Sequence, residues 1–353
     1  MPVRALWAAL SLVFALSPRG HAAMLRDHLY GVKAMSATEA WAVGNYGSIY
    51  HTTNGGQTWD TRDSGTKLPL FSVDFVDATH GWAAGKSAEL LATSDGGKTW
   101  TPQPMPIDRG KHFFKVRAAD ARSIWAVGDW GAIAASSDGG NTWKDRSLST
   151  LTVLTGNRND RVEHVVLEDV ILYDVAWPDP QHGYIAGEFA TLLATSDGGQ
   201  TWYKRTLPTE KTIFGLSFVS ADEGWAVGID GLVLHTTDAG RTWTVQHGNP
   251  APATIDELAF KDALKNPGMY AVSVVGETGV VVGDTGTLLV SSDGGQTWSR
   301  RVLPDRERYS WLRDVSLVPG SRGMLVGARG MSGLVQGSEV TLSDGGKAVA
   351  ATE

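Results

Sequence analysis

The phrase S/T-x-D-x-G-x-T-W runs through this chain six times, and it constrains the fold more than any other feature. The copies are Thr52–Trp59, Thr93–Trp100, Ser136–Trp143, Thr195–Trp202, Thr236–Trp243 and Ser291–Trp298. Asn54 replaces the aspartate in the first; Asp95, Asp138, Asp197, Asp238 and Asp293 hold it in the others. A seventh, decayed copy at Leu342–Val349 keeps Asp344, Gly345 and Gly346 but carries Ala348 and Val349 where Thr and Trp stand elsewhere. Successive tryptophans (Trp59, Trp100, Trp143, Trp202, Trp243, Trp298) lie 41, 43, 59, 41 and 55 residues apart. A unit recurring at about 40–50 residues marks a propeller or a solenoid.

The second unit shows what each repeat encodes. Leu70–Val76 alternates as a half-buried strand does, and Asp77–Gly81 is a turn. Trp82–Gly85 begins a second strand, Lys86-Ser87 turns, and Glu89–Thr93 is a third. Asp95–Lys98 turns again, and Thr99–Thr101 opens a fourth. Four antiparallel strands in about 42 residues make one propeller blade. A second phrase, W-A-V-G and its variants, recurs independently and ends at Gly44, Gly85, Gly128, Gly187, Gly228, Gly283 and Gly327. Both phrases count seven, so the chain is read as an all-β, seven-bladed propeller. The aspartates and Ser/Thr hydroxyls are read as fixing hairpin turns, and the tryptophans as filling the space toward a neighbouring blade. Six equivalent turns cannot all be one active site. Ring closure is expected to pair residues near Met24–Leu29 with the last blade, because Lys347–Thr352 is poor in strand formers.

Residues 1–23 read as a secretory signal: Arg4 near the amino terminus, apolar Leu6–Leu16, then Pro18, Gly20 and Ala22 before a small-residue cleavage site. A membrane anchor or a buried strand is the other reading of that segment. The propeller is then 24–353. The chain has no cysteine, so neither a lipid-anchoring thiol nor a disulfide framework. Export without disulfides suits a periplasm or a thylakoid lumen. The net charge of −7, or −9 without Arg4 and Arg19, argues against nucleic acid as a partner.

With strands ordered A to D outward from the axis, the Asp phrase is the C–D turn and shares a face with the A–B turns. The B–C turns and the crossovers between blades lie on the other face. Extra length is assigned to that second face: residues 147–170, residues 246–268, and Gly330–Gln336 in the B–C turn of blade 7, with Gly337 as that turn's small residue. Insertions on one side of a repeat array mark its binding face. Tyr46, Trp130 and Phe189 stand in B–C turns, either as exposed interface anchors or folded inward over the channel. Arg300, Arg301, Arg306, Arg308 and Arg313, offset by Asp305 and Glu307, leave a local +3. That cluster is a docking patch for an acidic segment or a solvated strand edge with local ion pairs.

Enzyme signals are thin. Asp74, Asp174 and Asp314 occupy like places in the A strands and, with Glu163 and Glu168, are the only acids a glycoside hydrolase could pair. His80 and His182 each precede a turn glycine, and His51 and His235 precede the Thr-Thr of an Asp phrase, which reads as structure. No metal, no cofactor and no catalysis are expected.

The paired phrases, W-A-V-G-x-x-G followed by T-x-D-G-G-x-T-W, resemble the photosystem II stability/assembly factor family, over Leu29 to about Gly346. The resemblance implies an exported seven-bladed propeller without catalysis that helps assemble a membrane complex. It also implies that a basic surface patch binds an extracytoplasmic segment of a membrane protein. A monomer without a membrane span after signal cleavage is expected. A carbohydrate-directed Asp-box protein, sialidase- or glycoside-hydrolase-like or glycan-binding, is the alternative.

Overall fold

The computed structural model describes residues 25–151, 153–155, 163–164, 170–248, 267–303, 310–344 and 347–350. The expected leader, residues 1–23, lies outside them. Seven sheets, each with four antiparallel strands at its heart, follow one another along the chain and form the seven blades. Blade 2 is typical, with strands Leu70–Phe75, Gly81–Gly85, Leu90–Thr93 and Thr101–Pro102. The seven A strands are Leu29–Ala34, Leu70–Phe75, Phe113–Ala118, Leu172–Ala176, Ile213–Phe218, Met269–Val275 and Leu312–Val318. Each packs on the next around the axis, and the last packs on the first. The buried apolar side chains fall into seven clusters, one at each seam between adjacent blades.

The Asp phrase builds its turn as its residue types require. In blade 2 the Asp95 carboxylate accepts from the Thr99 N–H at 3.0 Å and the Thr99 hydroxyl at 2.7 Å, while Thr93 Oγ1 accepts the Gly97 N–H at 2.9 Å. Asn54 repeats the geometry without charge: its Oδ1 accepts the Thr58 N–H and its Nδ2 donates to the Thr58 hydroxyl. Gly97 has φ +71°, and a Cβ there would sit 2.1 Å from the Trp41 ring. The reason lies one blade back, since the turn and its tryptophan close over the B-strand aromatic of the preceding blade. Trp100 packs edge-on to Trp41, and Trp202 to Trp125, with centroids 6.1 and 5.8 Å apart. Each such indole buries roughly 200 Å², a gross gain of about 5 kcal/mol. Trp143 and Trp243 donate to the carbonyls of Gly140 and Gly240, and Trp298 to Gln246. The indole nitrogens of Trp59, Trp100 and Trp202 are buried without a partner.

Three expectations are corrected. The first concerns blade 7. Its B–C turn is the short Ala328–Gly330, and Met331–Gln336 is its third strand rather than an insertion. Gly337 belongs to the C–D turn, its N–H donating to the Ser321 carbonyl as Gly96 does to Thr79 in blade 2. The decayed phrase therefore lies one hairpin further on, where Asp344 ends the fourth strand and precedes a fifth, Lys347–Ala350. The second concerns ring closure. Among the described residues blade 7 completes its own sheet, and no N-terminal strand joins it. Instead the Gly330 N–H donates to the Asp27 carbonyl at 2.7 Å. The same bond joins Gly131 to Val170 and Gly231 to Pro267, each acceptor lying two residues before the next A strand. The ring thus closes by the same contact that joins other neighbouring blades. The third concerns the 147–170 insertion. Its described strands, Val153–Thr155 and Glu163–His164, extend blade 4 at its outer edge, the former parallel to Trp202–Lys204. Most of the 246–268 segment, from 249 to 266, lies outside the described residues, as does Glu168. The described insertions therefore give no reason to favour either face.

Candidate functional site

The face of the B–C turns carries a site for a different reason. Every A strand has a register irregularity at its second position, as between Leu29 and Gly31 or Leu70 and Ser72. A bulge leaves one residue unpaired and re-aims its side chain. The residues so placed are Tyr30, Phe71, Phe114, Tyr173, Phe214, Tyr270 and Arg313. Neighbouring rings from Tyr30 to Tyr270 stand with centroids 4.8–5.7 Å apart, and the Arg313 guanidinium lies 4.6 Å from the Tyr270 centroid. Trp311 stacks on Tyr30 at 5.7 Å. The belt surrounds a cavity of about 310 Å³ at the channel mouth, with Lys115 and Asp314 in its lining. The A strands begin at this mouth, because the B–C turns bond to the residues just before them: Asn45 N–H to His28, Asp129 N–H to His112.

Deeper in the channel lie the three aspartates that a hydrolase could have paired. They occupy two levels, since Asp74 is the fifth residue of its strand whereas Asp174 and Asp314 are the third. All three stitch seams. Asp74 accepts the Ala118 N–H, Asp174 the Leu216 N–H and Asp314 the Val32 N–H, at 2.8–3.0 Å. Cations complete the layer: Lys33 lies 2.6 Å and Arg117 3.6 Å from Asp74, and Lys115 3.9 Å from Asp174 and 3.4 Å from Asp314. Burial pushes Asp74 up, but Lys33 and Arg117 outweigh it and hold the carboxyl below its ordinary value. Burial raises Asp174, and Lys115 and Arg117 only partly offset it. The histidines are likewise structural: His51 and His235 stack on Trp41 and Trp225, and His80 and His182 pair with Asp77 and Asp179 in turns.

Tyr46, Trp130 and Phe189 stand at the tips of their turns, 71, 58 and 72 % exposed, and do not fold over the channel. Each has a positive φ (57, 52 and 52°). For such large side chains that conformation is uncommon, and it aims them outward. The described arginines of the cluster, Arg300, Arg301 and Arg313, do not come together. Arg300 ends the outermost strand of blade 6 and is exposed. The Arg301 N–H bonds to Leu288, whose strand leaves the B–C turn, so Arg301 stands at the outer rim of this face. Arg313 is at the axis. Arg306 and Arg308 lie outside the described residues.

Comparison with known proteins gives a family profile, photosynthesis system II assembly factor YCF48, over residues 65–159 and 154–263, and a BNR/Asp-box repeat at 289–300. The chain is 27 % identical over 140 residues to the chloroplastic photosystem II stability/assembly factor HCF136 of Oryza sativa subsp. japonica, covering 38 % of this chain and 31 % of that protein. The chain spans about a third of the length of the first relatives it matches. The solved structure of YCF48 bound to D1 peptide superposes with TM-score 0.62 at 18 % identity, covering 91 % of this chain and 98 % of the other. A GH74 xyloglucanase from Xanthomonas campestris superposes with TM-score 0.64 at 16 % identity, over 93 % of this chain and 53 % of its own. At such identities the structural likeness is one of fold.

Proposed function

The chain belongs to the photosynthesis system II assembly factor YCF48 family, and from that membership we propose that it docks an extracytoplasmic segment of a membrane protein on its B–C-turn face, assisting assembly of a membrane complex without catalysis. The observation that carries the site is the trio Tyr46, Trp130 and Phe189, large side chains held in solvent on the face that also bears the aromatic channel mouth. Aromatic anchors of this kind dominate protein interfaces. An acidic segment would meet Arg313 at the axis and Arg301 at the rim. The leader-like residues 1–23 support export to a periplasm or lumen. Among the described residues no helix is long and apolar enough to cross a membrane. The hydrolase alternative is disfavoured because Asp74, Asp174 and Asp314 are each engaged by a neighbouring blade's N–H and a cation, whereas hydrolysis needs carboxyls free to exchange protons.

The test replaces Tyr46, Trp130 and Phe189 together by serine and measures capture of a membrane-complex subunit from the native envelope. The exposed positions leave the fold intact, and affinity falls at least about a hundredfold, as loss of two or three anchors requires. Undiminished capture by the triple variant, or retention of glycans in place of a protein, contradicts the proposal.

A further inference from the structure

The belt has properties that a docking face for a protein segment does not require. Seven aromatic side chains, the six of the belt and Trp311, line a cavity of about 310 Å³ rather than a flat patch. That volume is at the small end of ligand pockets, and ring faces left to water are unfavourable unless something apolar covers them. The charges select the ligand's sign. Cages of aromatic rings otherwise recognise cations, but here the seventh place in the ring is itself a cation, Arg313. Lys115, in the same lining, sits against Asp314 and Asp174. No described carboxylate lies within ion-pair distance of Arg313, whose one described partner is the face of Tyr270. Burial raises the phenols of Tyr30, Tyr173 and Tyr270, so the wall stays neutral at pH 7.

We propose that the channel mouth binds a small, free carboxylic acid with a planar apolar body, the body against the aromatic belt and the carboxylate on the Arg313 guanidinium. Arginine offers a carboxylate two parallel donors, and its stacking on Tyr270 holds those donors in one plane at the cavity wall. This is a second binding function, which shares Arg313 with partner docking but not the rim anchors Tyr46, Trp130 and Phe189.

The test uses three probes sharing one body: 2-naphthoate, 2-naphthamide and 2-naphthylmethylammonium, titrated into the protein by calorimetry and by the fluorescence of Trp311. The acid binds tightest, the amide at least about tenfold more weakly, and the ammonium not measurably. R313Q weakens the acid by about tenfold or more and leaves the amide unchanged, as loss of one charge-assisted contact predicts. F214A weakens acid and amide alike, and the serine variants of Tyr46, Trp130 and Phe189 change neither. Any of three results overturns the proposal. One is ammonium binding equal to the acid's. Another is acid binding that R313Q leaves unchanged. The last is no saturable binding of the free acid in the millimolar range, including the case where only a peptide-borne carboxylate binds.

Discussion

Asp74→Ala is the most informative stability test of how the blades are joined. Asp74 is buried on an A strand, and its carboxylate does three things at once. It accepts the Ala118 N–H across the blade 2–3 seam at 2.9 Å, pairs with Lys33 of blade 1 at 2.6 Å, and faces Arg117 of blade 3 at 3.6 Å. Truncation leaves an N–H without an acceptor and two cations without a counter-charge. Breaking a buried pair costs about 3–5 kcal/mol. Lys33 and Arg117 are about a quarter exposed to the channel, so water recovers part of this and the expected loss is about 3 kcal/mol. At about 2–3 °C per kcal/mol for a chain of this size, the thermal midpoint falls by roughly 6–9 °C. Asp74→Asn keeps an acceptor for Ala118 but not the charge, so it loses about half as much. Thermal unfolding followed by calorimetry reads both variants. A midpoint for Asp74→Ala within about 2 °C of wild type, the equivalent of 1 kcal/mol, would refute the claim that these acids hold the seams.

Two further outcomes follow from the repeats. Asp95 is held at about 2 chiefly by the Thr99 N–H and then its hydroxyl, and Asp138 and Asp293 at about 2 chiefly by the hydroxyls of Thr142 and Thr297 and then their N–H groups. A folded value below the unfolded carboxyl's ~3.9 contributes stability that is complete above that pH and lost as pH falls toward 2. The thermal midpoint is therefore level from pH 7 to about 5 and declines between about 4 and 2; a midpoint unchanged at pH 2 contradicts the role given to these turns. The second outcome concerns the blade 7–1 seam. Met324 stands there where Trp41, Trp82, Trp125, Tyr184 and Trp225 stand at other seams, and a cavity of about 280 Å³ lies between Gly56, Met324 and Leu334. Met324→Trp fills it and raises stability by about 1 kcal/mol; a fall of that size in denaturant titration shows that the cavity does not match an indole.

The blades are legible in the sequence because two fixed phrases repeat, and each residue type in them answers a local physical need. A carboxylate satisfies turn amides, glycines supply positive φ, and an indole fills the seam. In blade 7 the Asp phrase is a false ruler. Gly330, three residues after Gly327 as in the other units, holds the B–C turn, and the phrase itself has slipped one hairpin outward. The aromatic belt is hidden for another reason. Strict alternation sets Phe71 on the same side as Val73 and Phe75, but the irregularity between Leu70 and Ser72 turns Phe71 into the channel while the other two join the seam core. A signal exists, since aromatic residues recur at a near-constant distance before the turn glycine, from Tyr30 through Tyr270. Arg300, Arg301 and Arg313 form a group in sequence alone. Arg301 stands at the outer rim of one blade and Arg313 at the axis of the next, so these two neighbours in sequence end at opposite radii.

The measurement that tests the central claim most directly is site-specific photocrosslinking in the native envelope, with adducts identified by mass spectrometry. A photoreactive residue is placed at Tyr46 or Trp130 on the B–C-turn face, and at exposed Lys98 or Asn141 on the Asp-phrase face. The docking account predicts adducts to a membrane-complex subunit from the first pair and none from the second. Adducts from Lys98 and Asn141 with none from Tyr46 and Trp130 would place the working face on the opposite side of the propeller and contradict it.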